Sequence, residues 1–266
     1  MYKIIFSLPV VLLLLNFQIF QSYEHSFTMD DSIYFISLVK QAQLELDLAI
    51  DNFPSNITVA IEHSDNAARL INDAYYVDDD VVDDQDFINR YNKDVHSTNT
   101  TTHALVISTL IDKLLDNYGN SLGLNFDLTN MSNLLVFVNS SELKNTVQNG
   151  TFQSGDKKSN SEINISDRDY KLLLSPIGNF IRYSDYLVAK ELSQEIDRIF
   201  YLYLKSFEGL NKKNLNDVME LEKNLAQLNV MIKNKSPPAE LMKLVHLKIH
   251  PMMQTIYNLK VTIPST

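Results

Sequence analysis

Apolar residues recur every three or four positions through most of this chain and alternate with polar ones almost nowhere, so the fold open to it is built from helices whose apolar stripes pack together. Thr28-Met29-Asp30-Asp31 is a helix start, with a hydroxyl cap and carboxylates at the positive end of the dipole. Behind it Phe35, Val39, Ala42, Leu46, Ala49 and Phe53 share one stripe, and Pro54 ends or turns the helix. A second helix is expected over Ile57–Tyr75, with Ile57, Ala60, Ser64, Ala67, Ile71 and Ala74 on a face small enough for close helix approach. Val77–Asp86 is an aspartate-rich, loop-like stretch. A third helical stretch follows through Phe87, Tyr91 and Val95 to Leu114, broken or bent by the β-branched run Thr98–Thr102. Tyr118-Gly119-Asn120 supplies a stop in which Gly119 is free to turn left-handed.

Beyond that stop the composition changes. Residues 119–168 hold four of the six glycines and long Ser/Asn/Thr/Lys runs, and 145–167 has the character of a mobile linker. Leu134–Val138 is β-like, but one run does not make a sheet. Helical periodicity resumes over Ser184–Phe207 through Val188, Leu192, Ile196, Ile199, Tyr203 and Ser206, and Gly209 closes it. Leu215–Ile232 carries Val218, Leu225 and Leu228, and Ser236-Pro237-Pro238 launches a last helix in cap-then-proline order. The expected architecture is all-α: an antiparallel bundle or bundles of about six helices, with a polar linker between two three-helix halves. The regions are 1–22, a leader; 23–118, N-terminal and helical; 119–168, a polar glycosylatable loop; and 169–266, C-terminal and helical.

Met1–Lys3 is short and basic, Ile4–Phe20 is apolar, and Glu24, Asp30 and Asp31 follow, a charge order that leaves the bulk of the chain outside the cytoplasm. The segment serves either as a signal peptide or as a signal anchor. Cleavage is disfavoured by the lack of small residues other than Ser22 over Ile19–Tyr23, and spanning by a run shorter than the usual ~20 residues. An extracytoplasmic place agrees with seven Asn-x-Ser/Thr triplets, at Asn56, Asn99, Asn130, Asn139, Asn149, Asn164 and Asn234, which make the chain an expected glycoprotein. Membrane contact is expected only through the N-terminal segment, if it is not cleaved. Cysteine is absent, which excludes disulfides, thiolate metal sites and a thiol nucleophile, so packing must supply stability. A net charge of −10 without a basic stripe excludes nucleic acid as a partner.

The last helix carries the most specific chemistry. Leu241, Val245, Ile249, Met252, Ile256 and Leu259 form an apolar stripe, and Met242, His246, His250, Met253 and Tyr257 form a second beside it. Residues four apart share a helix face, so His246 and His250 can offer two imidazoles to one ion, with Met242 and Met253 adding soft thioethers; copper suits that set, and zinc or iron the imidazoles alone. Pro251 is expected to kink the helix and free the carbonyl of Leu247. The competing expectation is ordinary packing, with this stripe the wetter border of a core. His63, His96 and His103 can meet only if the second and third helices are neighbours. Asp78, Asp80, Asp83, Asp84 and Asp86 offer hard oxygens for calcium, but the ordered calcium loop and its downstream glutamate are missing, which favours a solvated acidic turn. No Gly-x-Ser-x-Gly elbow or Gly-rich phosphate loop occurs, so no enzymatic activity is expected.

Ser184–Leu192, Leu215–Leu228, Ser236-Pro237-Pro238-Ala239-Glu240-Leu241 and Leu244-Val245-His246 through His250-Pro251 resemble uncharacterised exported helical proteins of ammonia-oxidising archaea, as do Tyr118-Gly119-Asn120 and Leu128-Thr129-Asn130-Met131-Ser132-Asn133. More faintly, the same pattern is similar to the extracytoplasmic helical region attached to high-affinity iron permeases. The resemblance implies a soluble or tethered helical module outside the membrane, with metal handling among its roles. The Arg-Glu-x-x-Glu motif of those permeases does not occur, so iron transport by this chain alone is not implied. Two functions are therefore expected: a non-enzymatic binding or structural module of the cell envelope, its partner an unknown envelope protein, or an extracytoplasmic carrier of a transition metal.

Overall fold

The structure is a computed structural model and describes residues 26–27, 30–53, 55–77, 83–97, 99–124, 127–129, 167–174, 180–205, 212–259 and 261–262. The leader 1–22, the linker 145–167, Leu134–Val138, Asp78, Asp80, Ser206, Gly209 and the triplets at Asn130, Asn139, Asn149 and Asn164 lie outside the described residues, as does the side chain of His96. The fold is all-α. Its elements in chain order are β1 (Ser26–Phe27), α1 (Asp31–Asn52), α2 (Ile57–Tyr75), α3 (Asp84–Ser97), α4 (Thr100–Ser121), α5 (Asp167–Leu174), α6 (Tyr183–Ile199), α7 (Lys212–Lys233), α8 (Pro238–Leu244), α9 (His250–Tyr257) and β2 (Val261–Thr262). A π-helical turn, Phe200–Leu204, prolongs α6, and another, Val245–Ile249, joins α8 to α9. β1 and β2 make a single antiparallel pairing, Ser26 opposite Thr262 and Phe27 opposite Val261.

Local chemistry sets the helix ends. Asp30 caps α1 by accepting from the Ile33 amide at 2.9 Å, and Asn56 and Asn99 cap α2 and α4 in the same way through Val59 and Thr102. The aspartate-rich stretch is shorter than expected at its far end: Asp83 accepts from the amides of Gln85 and Asp86, so Asp84 and Asp86 belong to the first turn of α3. Gly119 does not stop α4. The helix runs on to Ser121, and Gly123 takes the left-handed turn at φ 61°, with Gly123 N–H donating to Asn120 and Leu124 N–H to Gly119. A Cβ added at Gly119 would meet the Leu128 side chain at 3.4 Å, the near edge of ordinary van der Waals contact.

α4 is the central element because Ala104-Leu105-Val106-Ile107, Leu110-Ile111 and Leu114-Leu115 give it apolar residues on nearly every side. It packs against α1, α6, α8 and α9, and one hydrophobic cluster draws on helices from both sides of the central polar stretch. Burial of each such Leu or Ile stabilises by about 1.5–3 kcal/mol relative to an exposed one.

Two stripes depart from the expected lines. In α1, Phe35, Val39 and Ala42 are buried, Phe35 against Phe87 of α3, but Leu46 and Phe53 are exposed. In α2 the buried face is Ala60, His63, Ala67, Leu70 and Ala74, while Ile57 and Ser64 face solvent. No helix among the described residues is long and apolar enough to cross a membrane.

Candidate functional site

The geometry of the His/Met face follows from Pro251. Proline brings no amide to the Leu247 carbonyl and its ring crowds that oxygen, and the turn before it is widened into the π form, closed by the His250 amide donating to Val245. The extra residue rotates the following turns, so that Met253 and Tyr257 take the interior positions and Met252 and Ile256 are only half-buried. Met242, His246, His250 and Met253 all face inward, with 1%, 0%, 1% and 0% of their surface exposed, so the stripe is interior and not the wetter border of a core.

The two imidazoles meet edge to face, ring centroids 5.5 Å apart. His246 Nε2 lies 2.9 Å from the carbonyl oxygen of Leu128 and donates to it, since a carbonyl can only accept. Burial holds the His246 imidazole below its ordinary value, against the opposing pull of that hydrogen bond and of Asp127. His250 Nε2 stands 3.7 Å from Asp112 Oδ1, beyond hydrogen-bond length. The Asp112 carboxyl is pushed up to about 8 by burial, with Asp116 and Asp127 adding to the rise and Lys113 opposing it. Among the described residues no group of three or more His, Asp or Glu side chains is arranged to hold a metal ion.

The remaining sequence candidates take separate partners. His63 Nδ1 is 2.6 Å from Glu45 Oε2, and His103 stacks on Tyr203 at 4.1 Å between centroids. Asp84 accepts from the Tyr75 hydroxyl. Asn56, Asn99 and Asn234 are exposed; the first two use their side-chain oxygens as helix caps, which leaves the amide nitrogen outward.

Periodicity passed over a second site. A cleft of about 490 Å³ opens between α1, α2, α4 and α6. Its three basic groups stand outward: Arg69 is exposed, and Arg182 and Lys113 keep 57% and 47% of their side chains exposed and pair with Asp185 at 3.1 Å and Asp116 at 3.3 Å. Its carboxylates reach deeper, with Glu45 at 8% and Asp185 at 14% exposure. Burial raises the Asp185 carboxyl, Arg182 opposes the rise, and Glu62 and Glu45 reinforce it. Glu62 accepts from the Ser184 hydroxyl at 2.9 Å. At the floor, the Ser37 hydroxyl is buried and has no hydrogen-bond partner among the described residues. Glu45 spends one oxygen on His63, and its other makes no hydrogen bond among them. The signal in the sequence was a glutamate inside the apolar Leu44–Leu48 segment and a histidine on the Ala60–Ala67 face, which a stripe of apolar letters does not register. A smaller groove of about 270 Å³ between α1 and α6 is already bridged by Lys40 of α1, 3.7 Å from Glu195 of α6, which Arg198 holds from within its own helix.

No family model matches the chain, and no curated protein or solved structure is significantly similar to it.

Proposed function

We propose that this protein is a non-enzymatic helical binding module working outside the cytoplasm, an antiparallel bundle with a polar linker between its helical halves, whose ligand site is the cleft between α1, α2, α4 and α6. One observation carries the reading: a cleft of about 490 Å³ whose polar lining comes from four helices and includes buried groups that the protein itself leaves unsatisfied. Folding a buried hydroxyl without a partner costs about 1–3 kcal/mol, a cost that a ligand recovers on binding. The apolar N-terminal segment and the Asn-x-Ser/Thr triplets support the extracytoplasmic place. The test is a thermal-shift and calorimetric screen of the full chain against small cationic, anionic and neutral polar compounds, beside Asn66→Trp, which fills the cleft from its wall. Saturable binding lost in Asn66→Trp is the expected result. A folded protein that binds no member of any class overturns the reading.

A second reading, a transition-metal carrier on the His246, His250, Met242 and Met253 face, has in its support the meeting of the two buried imidazoles, 5.5 Å between ring centroids. It requires the Leu128 carbonyl to release His246. Titration with copper(I), zinc and iron beside a His246→Ala/His250→Ala variant tests it: one-site binding lost in the variant supports the carrier, and no binding at micromolar metal retires it.

A further inference from the structure

Large apolar side chains gather in the open around the turn from α1 to α2. Leu46, Ile50 and Phe53, at i, i+4 and i+7 along α1 and its C-cap, expose 41%, 69% and 61% of their surface, and Ile57 and Ile61 of α2 expose 58% and 55%. The two helices meet through the Glu45–His63 contact. Counted from it at about 100° per residue, both stripes fall on one flank of the hairpin, whereas Gln41, Leu44, Glu62 and Arg69 of the cleft fall on the other. The five therefore make one patch at the tip, away from the cleft. Apolar residues exposed singly are ordinary, but a patch of five adheres to other surfaces when bare.

The turn itself holds an attachment point for a cover. Asn56 N–H donates to the Asn52 carbonyl at 2.7 Å and the Ser55 hydroxyl to the same oxygen at 3.1 Å, so the chain doubles back between Phe53 and Asn56. Asn56 and Thr58, the first and third residues of an Asn-x-Thr triplet, are both exposed. The α2 cap uses only the Asn56 side-chain oxygen, which accepts from the Val59 amide at 3.4 Å; an N-glycosidic bond leaves that oxygen in place, so cap and sugar are compatible. Phe53 and Ile57 flank Asn56, whereas no large apolar residue among the described ones is exposed within three positions of Asn99 or Asn234.

We infer that Asn56 carries an N-linked glycan whose first sugar lies on the Phe53 ring and whose chain screens Ile50, Ile57 and Ile61. The transfer joins Asn56 Nδ2 to C1 of a sugar supplied on a lipid phosphate. The C1–O bond breaks, and the phosphate leaves with its electron pair and takes up the proton that Nδ2 loses. Pyranose C–H bonds carry partial positive charge and an aromatic face is negative, so the sugar stacks on the ring while its hydroxyls stay in water. This rests on the chain's place outside the cytoplasm, not on the cleft.

Glycopeptide mass spectrometry on the full chain isolated from its own cells tests the assignment, with Thr58→Ala, Phe53→Ala and their combination expressed there. Thr58→Ala removes the acceptor triplet and keeps the Asn56 cap. Cleavage after Lys40 and Arg69 releases residues 41–69, which hold no other triplet. Sugar on that peptide is the expected result. Thr58→Ala should melt about 2–4 °C below the parent and self-associate in sedimentation, and Phe53→Ala should lower the melting temperature of the glycosylated chain but not of the Thr58→Ala chain. A bare 41–69 peptide beside sugar on other triplets overturns the assignment and leaves the extracytoplasmic place standing; a dimer of that bare chain would give the tip to a second copy. No sugar on any triplet overturns the assignment and removes the triplets' support for that place. Sugar on Asn56 with Phe53→Ala equally costly in both backgrounds overturns the stacking.

Discussion

Replacing His63 with leucine removes the imidazole that holds Glu45 in the interior between α1 and α2. The His63 side chain is wholly out of solvent and Glu45 keeps 8% exposure, so water screens the 2.6 Å contact very little. A hydrogen bond to a charged group contributes about 1.5–3 kcal/mol, and a buried polar group left without its partner adds its own desolvation cost of about 1–3 kcal/mol. Leucine restores part of this by filling the space of the ring. The expected destabilisation is therefore about 3 kcal/mol for His63→Leu and about the same for Glu45→Leu. In the double variant no orphaned group remains, and the loss should fall short of the sum by about 2 kcal/mol. Urea unfolding of the full chain, followed by helical circular dichroism and read as midpoints at constant m, gives all four corners of the cycle. A coupling under about 0.5 kcal/mol would refute the argument, because it would mean that the two groups are solvated independently.

Other expectations follow from burial and backbone. A carboxyl that holds its proton up to about 8 when folded, against an ordinary 3.8, gives the folded state the extra proton between those values, so stability falls as pH rises from 4 to 8. Asp112→Asn should thus match the parent near pH 4 and exceed it by about 2 kcal/mol at pH 8, with the melting temperature at the two pH values as the check. His103 has the opposite sign of dependence: burial, with Lys40 adding, lowers it to about 4, so the unfolded chain takes up the proton first and stability falls as pH drops from about 6.5 towards 4. His103→Phe keeps a ring on Tyr203 and should flatten that acid limb. Gly→Ala should act with opposite signs at two nearby positions. Gly119→Ala gains up to about 1 kcal/mol in the last turn of α4 with its methyl against Leu128, whereas Gly123→Ala loses about 1 kcal/mol at φ 61°. Equal melting shifts for the two would contradict the placement of the left-handed turn.

The elements that periodicity located well are those whose ends are written in local chemistry. Ile57–Tyr75 begins at the Asn56 cap, α1 begins one residue beyond Asp30, and the break at Thr98–Thr102 falls where Asn99 caps α4. Faces were harder than ends. The α1 stripe was continued to Phe53 because the period continues, but burial depends on what lies opposite, and Leu46 and Phe53 are exposed. The cleft was illegible for a related reason. Ser37 and Glu45 on α1 are far from Asp185 in the chain, and each alone is an ordinary polar residue; only the packing of α1 against α6 brings them to one cleft.

The π turns show how one residue redirects a site. A stripe extrapolated at 3.6 residues per turn runs Leu192, Ile196, Ile199, Tyr203, yet after the turn at Phe200–Leu204 it is Leu204 that is fully buried, while Tyr203 moves outward to stack on His103. The same displacement after Val245–Ile249 turns Met253 and Tyr257 inward in place of Met252 and Ile256. In the second case Pro251 supplies the cause, since the α-type bond to Leu247 is unavailable there and widening the turn relieves the ring at little further loss. No such residue marks the first. A Pro251→Ala variant restores the missing amide and permits a regular α turn. If the proline sustains the π form, that change should rotate Tyr257 outward and separate His250 from Asp112, read as exposure of the tyrosine to solvent quenchers and as a change in the ring chemical shifts of His250; unchanged behaviour at both would place the cause in the packing against α4 and α7.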